Sequence, residues 1–351
     1  MRLGKVSNYL ASNMNSTLSK DIAQFVASFP FRHELRDKKV LVTGATGLIG
    51  STLIHCLLAL DENIRIIAPV RNMAKMRALF EDVLDKIDAI ECDLETFDYD
   101  TIGDVDYIFH FAAPTASKYM VTHPVETASA IYGITDKLLR YAKTHKIQGF
   151  IFLSSMEVYG SGLDGVITED MQGYWNIQDV RSSYPIAKRA AEHLCFLYAK
   201  EYAVPVKIAR LAQTSGAGVD DNDNRIINQF ARLASLKQNI VLHSTGESAR
   251  PSCYTFDCIT ALLYIALKGK DGEAYNVANS ETFMSVRAFA EYIRDNFAPS
   301  IQVIIDIDKN MGYPPPSKLN LSTAKLEALG WKPQYDLYDL IHRMMEYFEK
   351  R

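Results

Sequence analysis

The stretch "KVLVTGATGLIGSTLIHCLL", Lys39–Leu58, decides the fold. It opens with an apolar run of strand length and continues with apolar residues at helical spacing. Between the two, Gly44, Gly47 and Gly50 are spaced G-x-x-G-x-x-G. Glycines placed between a strand and a helix permit a tight turn, let backbone N–H groups approach a pyrophosphate, and seat the anion at the helix N-terminus. In that context the triplet predicts a dinucleotide site, with Gly44, Thr46, Gly47, Leu48, Ile49 and Gly50 as its contacts.

Outward from this unit the pattern repeats. "IRIIAPV" from Ile64, "VDYIFHFAA" from Val105, "GFIFLSS" from Gly149 and "VPVKIARL" from Val204 are apolar runs of strand length. Helix-length segments such as Ser51–Leu60 and Pro124–Lys143 lie between them. Strand and helix in alternation predict an α/β fold: a parallel sheet buried on both faces by helices. From about Gln213 the pattern loosens into polar loops, which predicts a smaller second region over 213–351 with segments returning to the sheet. Residues 38–212 form mainly the dinucleotide domain, and residues 1–37 an extension of one or two amphipathic helices around Asp21–Phe29.

Composition narrows the class. With 351 residues, 48% hydrophobic, and a net charge of −4, the chain can bury a large core but offers no electrostatic footprint for nucleic acid. No apolar run reaches membrane-spanning length, and the start lacks the apolar centre of a signal peptide. Five cysteines, odd in number and set in apolar segments, read as reduced core residues of a cytoplasmic protein. The eight histidines lack ligand spacing, so no metal is expected.

At the end of the second strand, "PVRN" places Arg71 where a carboxylate for a ribose 2′-hydroxyl is expected. A guanidinium there pairs with a 2′-phosphate, which favours NADP. NAD is the alternative if Arg71 lies on the adenine or is solvated. Asp93 and Leu94, after the third strand, are candidates for the adenine edge; Asp93 is equally a turn residue.

"RSSYPIAKRAAEHLC" contains Tyr184 and Lys188, four apart, and the spacing recurs at Tyr264 and Lys268. Tyr264 lies inside an apolar helical run that Lys268 ends, so that pair reads as structural. Tyr184 precedes Pro185, a favoured first helical residue, so it stands at a helix mouth with an ammonium one turn on. The positive charge is expected to lower the phenol pKa and fit it to take a proton from an alcohol. Ser155, at a neighbouring strand end, is placed to hydrogen-bond the same oxygen.

"GATGLIG", "HFAA", "SSMEVYG", "YPIAK" and "LEALGWKP" together, in this order from about Lys39 to the C-terminus, resemble the extended short-chain dehydrogenase/reductase family of nucleotide-sugar epimerases and dehydratases. The resemblance implies a Rossmann-type doubly wound sheet, a smaller C-terminal sugar-nucleotide domain, a Ser155–Tyr184–Lys188 set, and homodimers. It implies that Lys188 also holds the nicotinamide ribose and that Ala112 and Ala113 line the cofactor. On the substrate side, Gln213 stands where related enzymes carry asparagine near the diphosphate, and Arg250 where they carry an arginine facing it; Arg225 assists or is simply solvated. The N-terminal extension lies outside the resemblance.

Glu157 chooses among reactions. Plain C4 epimerisation needs no carboxylate here, whereas a 4-ketone acidifies the C5 proton or lets a C5 carboxylate leave, and a nearby glutamate serves as base or acid. In similar 4,6-dehydratases and UDP-glucuronate decarboxylases the matching position is a glutamate. Dehydratases of the dTDP-glucose type carry an aspartate just before it, where this chain has Met156, so in a dehydration Glu157 would serve both steps, as the resemblance to GDP-mannose dehydratase-like enzymes implies. The expectation is an NAD(P)-dependent enzyme working through a transient 4-keto sugar by dehydration or decarboxylation. Epimerisation is the alternative, and an NAD(P)-sensing scaffold the non-enzymatic one. The structural alternative for Glu157 is a carboxylate paired with an arginine or capping a loop.

Overall fold

The computed structural model describes residues 14–220, 223–307 and 316–350. Among these, the strands read from the sequence join two others in a seven-stranded sheet. Its spatial order is Glu273–Val277, Val206–Leu211, Gly149–Ser155, Tyr107–His110, Lys39–Thr43, Arg65–Val70 and Ile87–Glu91, all parallel. Val40, Leu41 and Val42 have no exposed surface, as expected of a central strand covered by helices on both faces. The chain reverses its winding between Lys39–Thr43 and Tyr107–His110, which pair in register from Val40 with Tyr107. In an open α/β sheet such a switch point leaves a crevice beyond the strand ends where ligands bind. The glycine loop and Phe111–Ala113 both emerge there.

The helix after the glycines spans Leu48–Ala59, three residues earlier than its apolar spacing begins. The small polar residues Ser51 and Thr52 fit its first turn because their hydroxyls donate back to the Leu48 carbonyl, at 3.2 and 2.8 Å. Pro124 opens the helix Pro124–Thr144 as its first residue, where a missing N–H costs nothing.

The C-terminal half is shared between two layers. Glu273–Val277 returns to the edge of the large sheet, and helix Thr255–Lys268 packs beneath it. Asn279–Ser285, Ala249–Tyr254 and Gln213–Ser215 form a separate three-stranded sheet that carries Arg250 and Gln213.

The N-terminal extension contains helix Ser16–Ser28, capped by Asn15 through its side-chain oxygen, and a short turn of helix at Arg32–Leu35. Ile22, Phe25, Phe29 and Leu35 are buried in the same core as Leu53 and Ile54 of the glycine-loop helix. At about 1.5–3 kcal/mol for each large apolar side chain buried, these residues make the extension part of the core. The Tyr264 and Lys268 pair serves this docking: Lys268 pairs with Glu34 at 2.8 Å and lies over Phe31, whose ring meets Tyr264 edge-on.

Candidate active site

Backbone geometry explains the glycines at the switch point. Gly44 has φ +73°, and a Cβ on it would lie 2.9 Å from the Ala112 nitrogen. At Gly50 a Cβ would fall 2.2 Å from the Gly44 carbonyl oxygen, so the helix closes onto the loop only without one. Gly47 is different: its nearest neighbour is that same oxygen at 3.4 Å, and it is exposed at the helix mouth with no side-chain cap. Gly44 and Gly50 let the loop fold tightly, and Gly47 leaves the helix N-terminus open to an anion. A cavity of about 1300 Å³ extends from Thr46, Gly47 and Leu48 past Thr115 to Gly218 and Arg225. The cradle and this space fit a dinucleotide.

A buried hydrogen-bonded chain, for which the sequence reading assigned no role, locks the opposite wall. The Thr43 hydroxyl accepts N–H groups from Phe111 and Ala112, at 3.2 and 3.3 Å, and donates to His110 Nδ1 at 2.8 Å. His110 Nε2 lies 3.0 Å from the Thr135 hydroxyl, which itself donates to the Ile131 carbonyl at 2.6 Å. With that hydroxyl proton committed, Nε2 is the donor and the imidazole is neutral. Burial, reinforced by the positive charge of Lys188, pushes its pKa down to about 3. The histidine of "HFAA" was the available signal. It fixes the backbone at Ala112 against Gly44.

Of the other cofactor candidates, Arg71 is exposed just past the strand Arg65–Val70. Asp93 is exposed and accepts the Glu95 N–H at 2.9 Å, the geometry of a turn residue. Leu94 is buried, with its carbonyl taken by the Tyr99 hydroxyl at 3.4 Å.

The catalytic candidates converge at the end of strand Gly149–Ser155. Tyr184 is the second residue of helix Ser183–Tyr202, with Pro185 the third rather than the first. Its hydroxyl shares a hydrogen bond with Ser155, and Ser155 Oγ also accepts the Glu157 N–H at 3.2 Å. Lys188 is buried one turn on, but its ammonium donates to the Leu153 carbonyl at 2.7 Å and sits 5.9 Å from the Tyr184 ring centre. The expectation that Lys188 lowers the tyrosine pKa is corrected by this arrangement. Burial raises the phenol pKa, and the negative charge of Glu157 raises it further; the Ser155 hydrogen bond and the Arg225 charge oppose them. Burial pushes the Lys188 pKa down to about 8, against the pull of Glu192.

Glu157 answers the question its position raises. Among the described residues no hydrogen bond or ion pair reaches its carboxylate, which burial lifts above the usual range while the Arg250 charge pulls it down. Among the described residues neither a hydrogen-bonded pair nor a cap is seen: a capping carboxylate would accept an N–H, and here the Ser155 hydroxyl caps the turn Met156–Tyr159, while Arg250 acts on Glu157 through its charge alone. The surrounding backbone is tightly held. Trp175 Nε1 donates to the Glu157 carbonyl at 2.9 Å, and Arg189 donates to the carbonyls of Val158, Tyr159 and Gly173.

On the substrate side, Gln213 pairs with Ser252 on the strand next to Arg250, whose guanidinium reaches the Ser317 hydroxyl at 3.3 Å. Arg225 is not simply solvated: it is paired with Asp223 at 2.6 Å and lines the large cavity. A second cavity of about 860 Å³ begins at Gly160 and Ser161 and runs to Ala249, Arg287 and Lys318. Among the described residues no cluster of metal-ligating side chains is found. The five cysteines are free, all but Cys92 fully buried.

A model of the NAD dependent epimerase/dehydratase family matches residues 40–278. Over 323 residues the chain is 28% identical to UDP-glucuronic acid decarboxylase 3 of Arabidopsis thaliana, covering 89% of this chain and 90% of that one. Among solved structures, UDP-glucose 4-epimerase of Thermotoga maritima aligns with a TM-score of 0.78 at 21% identity, over 89% of this chain and 99% of that one. A dTDP-glucose 4,6-dehydratase of Bacillus anthracis, solved in complex with NAD, aligns with a TM-score of 0.74 at 21% identity, over 90% and 97%. At these identities the solved structures establish likeness of fold.

Proposed function

The chain belongs to the NAD dependent epimerase/dehydratase family, and from that premise we propose that it decarboxylates a nucleotide-linked uronic acid through a transient 4-keto sugar. The half-buried Glu157 carboxylate beside Tyr184, without a hydrogen-bond or ion-pair partner among the described residues, carries this reading. A nicotinamide held at this crevice would supply the acceptor for the C4 hydride and the donor that reduces the 4-ketone afterwards. Tyr184 is the group placed to exchange the C4 hydroxyl proton, passing its own on through the Ser155 hydroxyl that holds the same oxygen, and Lys188 anchors the ribose side from its seat on the Leu153 carbonyl. The resulting β-keto acid breaks its C5–C6 bond and releases carbon dioxide, leaving an enolate that needs one proton at C5. Glu157, with its pKa raised by burial, is suited to deliver it.

Two observations favour decarboxylation over dehydration. Met156, a buried thioether, stands where dehydratases of the dTDP-glucose type carry the acid for the leaving hydroxyl. The Arabidopsis thaliana relative is named a UDP-glucuronic acid decarboxylase. The cavity from Gly160 to Lys318 is read as the seat of the nucleotide diphosphate, because its lining residue Ser317 is held by Arg250 and its lining residue Ala249 precedes Arg250 on the same strand. The test is product mass after incubation with UDP-glucuronic acid, dTDP-glucose and UDP-glucose. Loss of carbon dioxide from the first supports the proposal; loss of water from either hexose, or unchanged mass with altered mobility, replaces it with dehydration or epimerisation.

Arg71, exposed beyond the second strand with no carboxylate in its place, supports NADP over NAD. Tighter NADP than NAD binding, lost in Arg71→Ala, is the expected result; a wild-type preference for NAD removes the assignment. A homodimer is proposed through helices Pro124–Thr144 and Ser183–Tyr202, which pack together and expose Val125, Tyr132, Phe196 and Leu197. Sedimentation of the wild type against Tyr132→Glu checks it. Free, buried cysteines fit a reducing, cytoplasmic setting, and no helix among the described residues is long and apolar enough to cross a membrane.

A further inference from the structure

A reaction that removes a hydride from C4 and later returns it, as proposed above, succeeds only if the reduced cofactor stays bound between the two steps. The structure supplies a candidate device for this retention in a segment that the family match, which begins at residue 40, does not include. The cavity that opens at Thr46, Gly47 and Leu48 is also lined by Met14, Asn15 and Leu18, and by Tyr347 of the last helix. All three N-terminal residues are half-buried there. We propose that the start of the N-terminal helix is a fixed wall of the cofactor cavity, whose task is to slow escape of the dinucleotide.

A wall must be held, and this one is. Asp21, one turn beyond Leu18, has no exposed surface and accepts from the Tyr254 hydroxyl and the Arg343 guanidinium. Tyr254 ends the strand that carries Arg250, and Arg343 belongs to the last helix, Leu337–Glu349, which also contributes Tyr347. Lys20 reaches Glu346 of the same helix at 3.0 Å. Asn15 uses its side-chain oxygen to accept the Thr17 N–H at 2.9 Å, which sets the direction in which the helix starts. Breaking a buried ion pair by neutralising one partner leaves the other charge stranded, so the anchor resists local opening. The wall thus joins the extension, the substrate strand and the C-terminal helix around one carboxylate.

The test measures cofactor escape directly, on the full chain and without turnover. Protein loaded with NADPH is mixed with excess NADP, and the nucleotide fluorescence decay gives the dissociation rate. In Leu18→Ala and Asp21→Asn the rate is expected to rise roughly tenfold, since affinity changes at a preformed site appear mainly in dissociation. Leu18→Ala trims a partly exposed side chain and keeps the fold testable should Asp21→Asn lower stability. Dissociation within twofold of wild type in Leu18→Ala, with unchanged circular dichroism, overturns the proposal. Should the wild type bind NADPH yet act on no nucleotide sugar, the reading of the reaction fails while this measurement still stands.

Discussion

The two ends of the crevice do their work by different means. At the glycine loop the functional atoms are backbone N–H groups, and their placement depends on where a Cβ cannot exist: 2.9 Å from the Ala112 nitrogen at Gly44, 2.2 Å from the Gly44 carbonyl at Gly50. At the chemical end the functional atoms belong to side chains, and their behaviour depends on surroundings drawn from distant parts of the chain. Ser155, Glu157, Tyr184, Arg225 and Arg250, from separate parts of the chain, act on one another there. A backbone requirement is written into residue type, whereas an electrostatic environment is written only into the fold.

If the chemical end depends on side-chain identity, its largest response is to losing the phenol. Tyr184→Phe should lower turnover by about 10²–10⁴-fold, the usual contribution of a positioned acid or base, while NADPH binding followed by fluorescence is kept. Turnover within a few-fold of wild type would break the comparison, because the site would then work without its central side chain. Glu157→Gln comes next. The amide keeps the shape but holds no proton to deliver, so carbon dioxide release or C5 protonation should fall by about 10²-fold or more while C4 oxidation continues. Absorbance of reduced cofactor should build up on mixing with substrate. A parallel fall of oxidation and product would assign Glu157 to binding instead.

How far the sequence could be read follows the same division. The parallel sheet, the loop glycines and the Tyr184–Lys188 helix were legible because apolar runs and glycine spacing are local properties. The packing of Ile22 and Phe25 onto Leu53 was not, since nothing in an amphipathic helix states which neighbour its apolar face will meet. Lys188 shows the limit most sharply. Its spacing from Tyr184 correctly places both on one helix, yet it was the Leu153 carbonyl, 35 positions away, that captured the ammonium at 2.7 Å. His110 was present in a quoted motif and still unassigned, because its role arises from two hydroxyls, Thr43 and Thr135, on separate elements.

The buried ammonium gives a third way to sharpen the contrast, through pH. The pKa of Lys188 is pushed down to about 8 from its ordinary 10.5, so between these values the unfolded chain carries a proton that the native chain has released. Stability from this group therefore rises with pH across that window, and below about pH 8 its burial is a constant cost. Lys188→Met should be the more stable protein below pH 8, with its advantage shrinking by up to about 1.4 kcal/mol per pH unit above it. Urea unfolding of both proteins at pH 7, 8 and 9 isolates this term, because other alkaline groups titrate equally in the two. An advantage that is flat across the range would mean that the ammonium is not desolvated in the native state.

The smallest expected effect tests the backbone end alone. Gly50→Ala places a methyl group against the Gly44 carbonyl, which is main chain and cannot swing aside. The loop must open or the helix must shift, at a cost of about 1–3 kcal/mol in stability together with weaker nucleotide binding. Gly133 is the matched control: it lies inside helix Pro124–Thr144 with nothing within 4 Å of where a Cβ would stand. There the same substitution should stabilise by about 0.5–1 kcal/mol, the ordinary gain of alanine over glycine in a helix. Opposite signs in thermal melts of the two variants would show that geometry at the loop, and not helix propensity, fixes the glycine. If Gly50→Ala were instead neutral and kept its nucleotide affinity, the loop would be plastic, and the rigid half of the comparison would be lost.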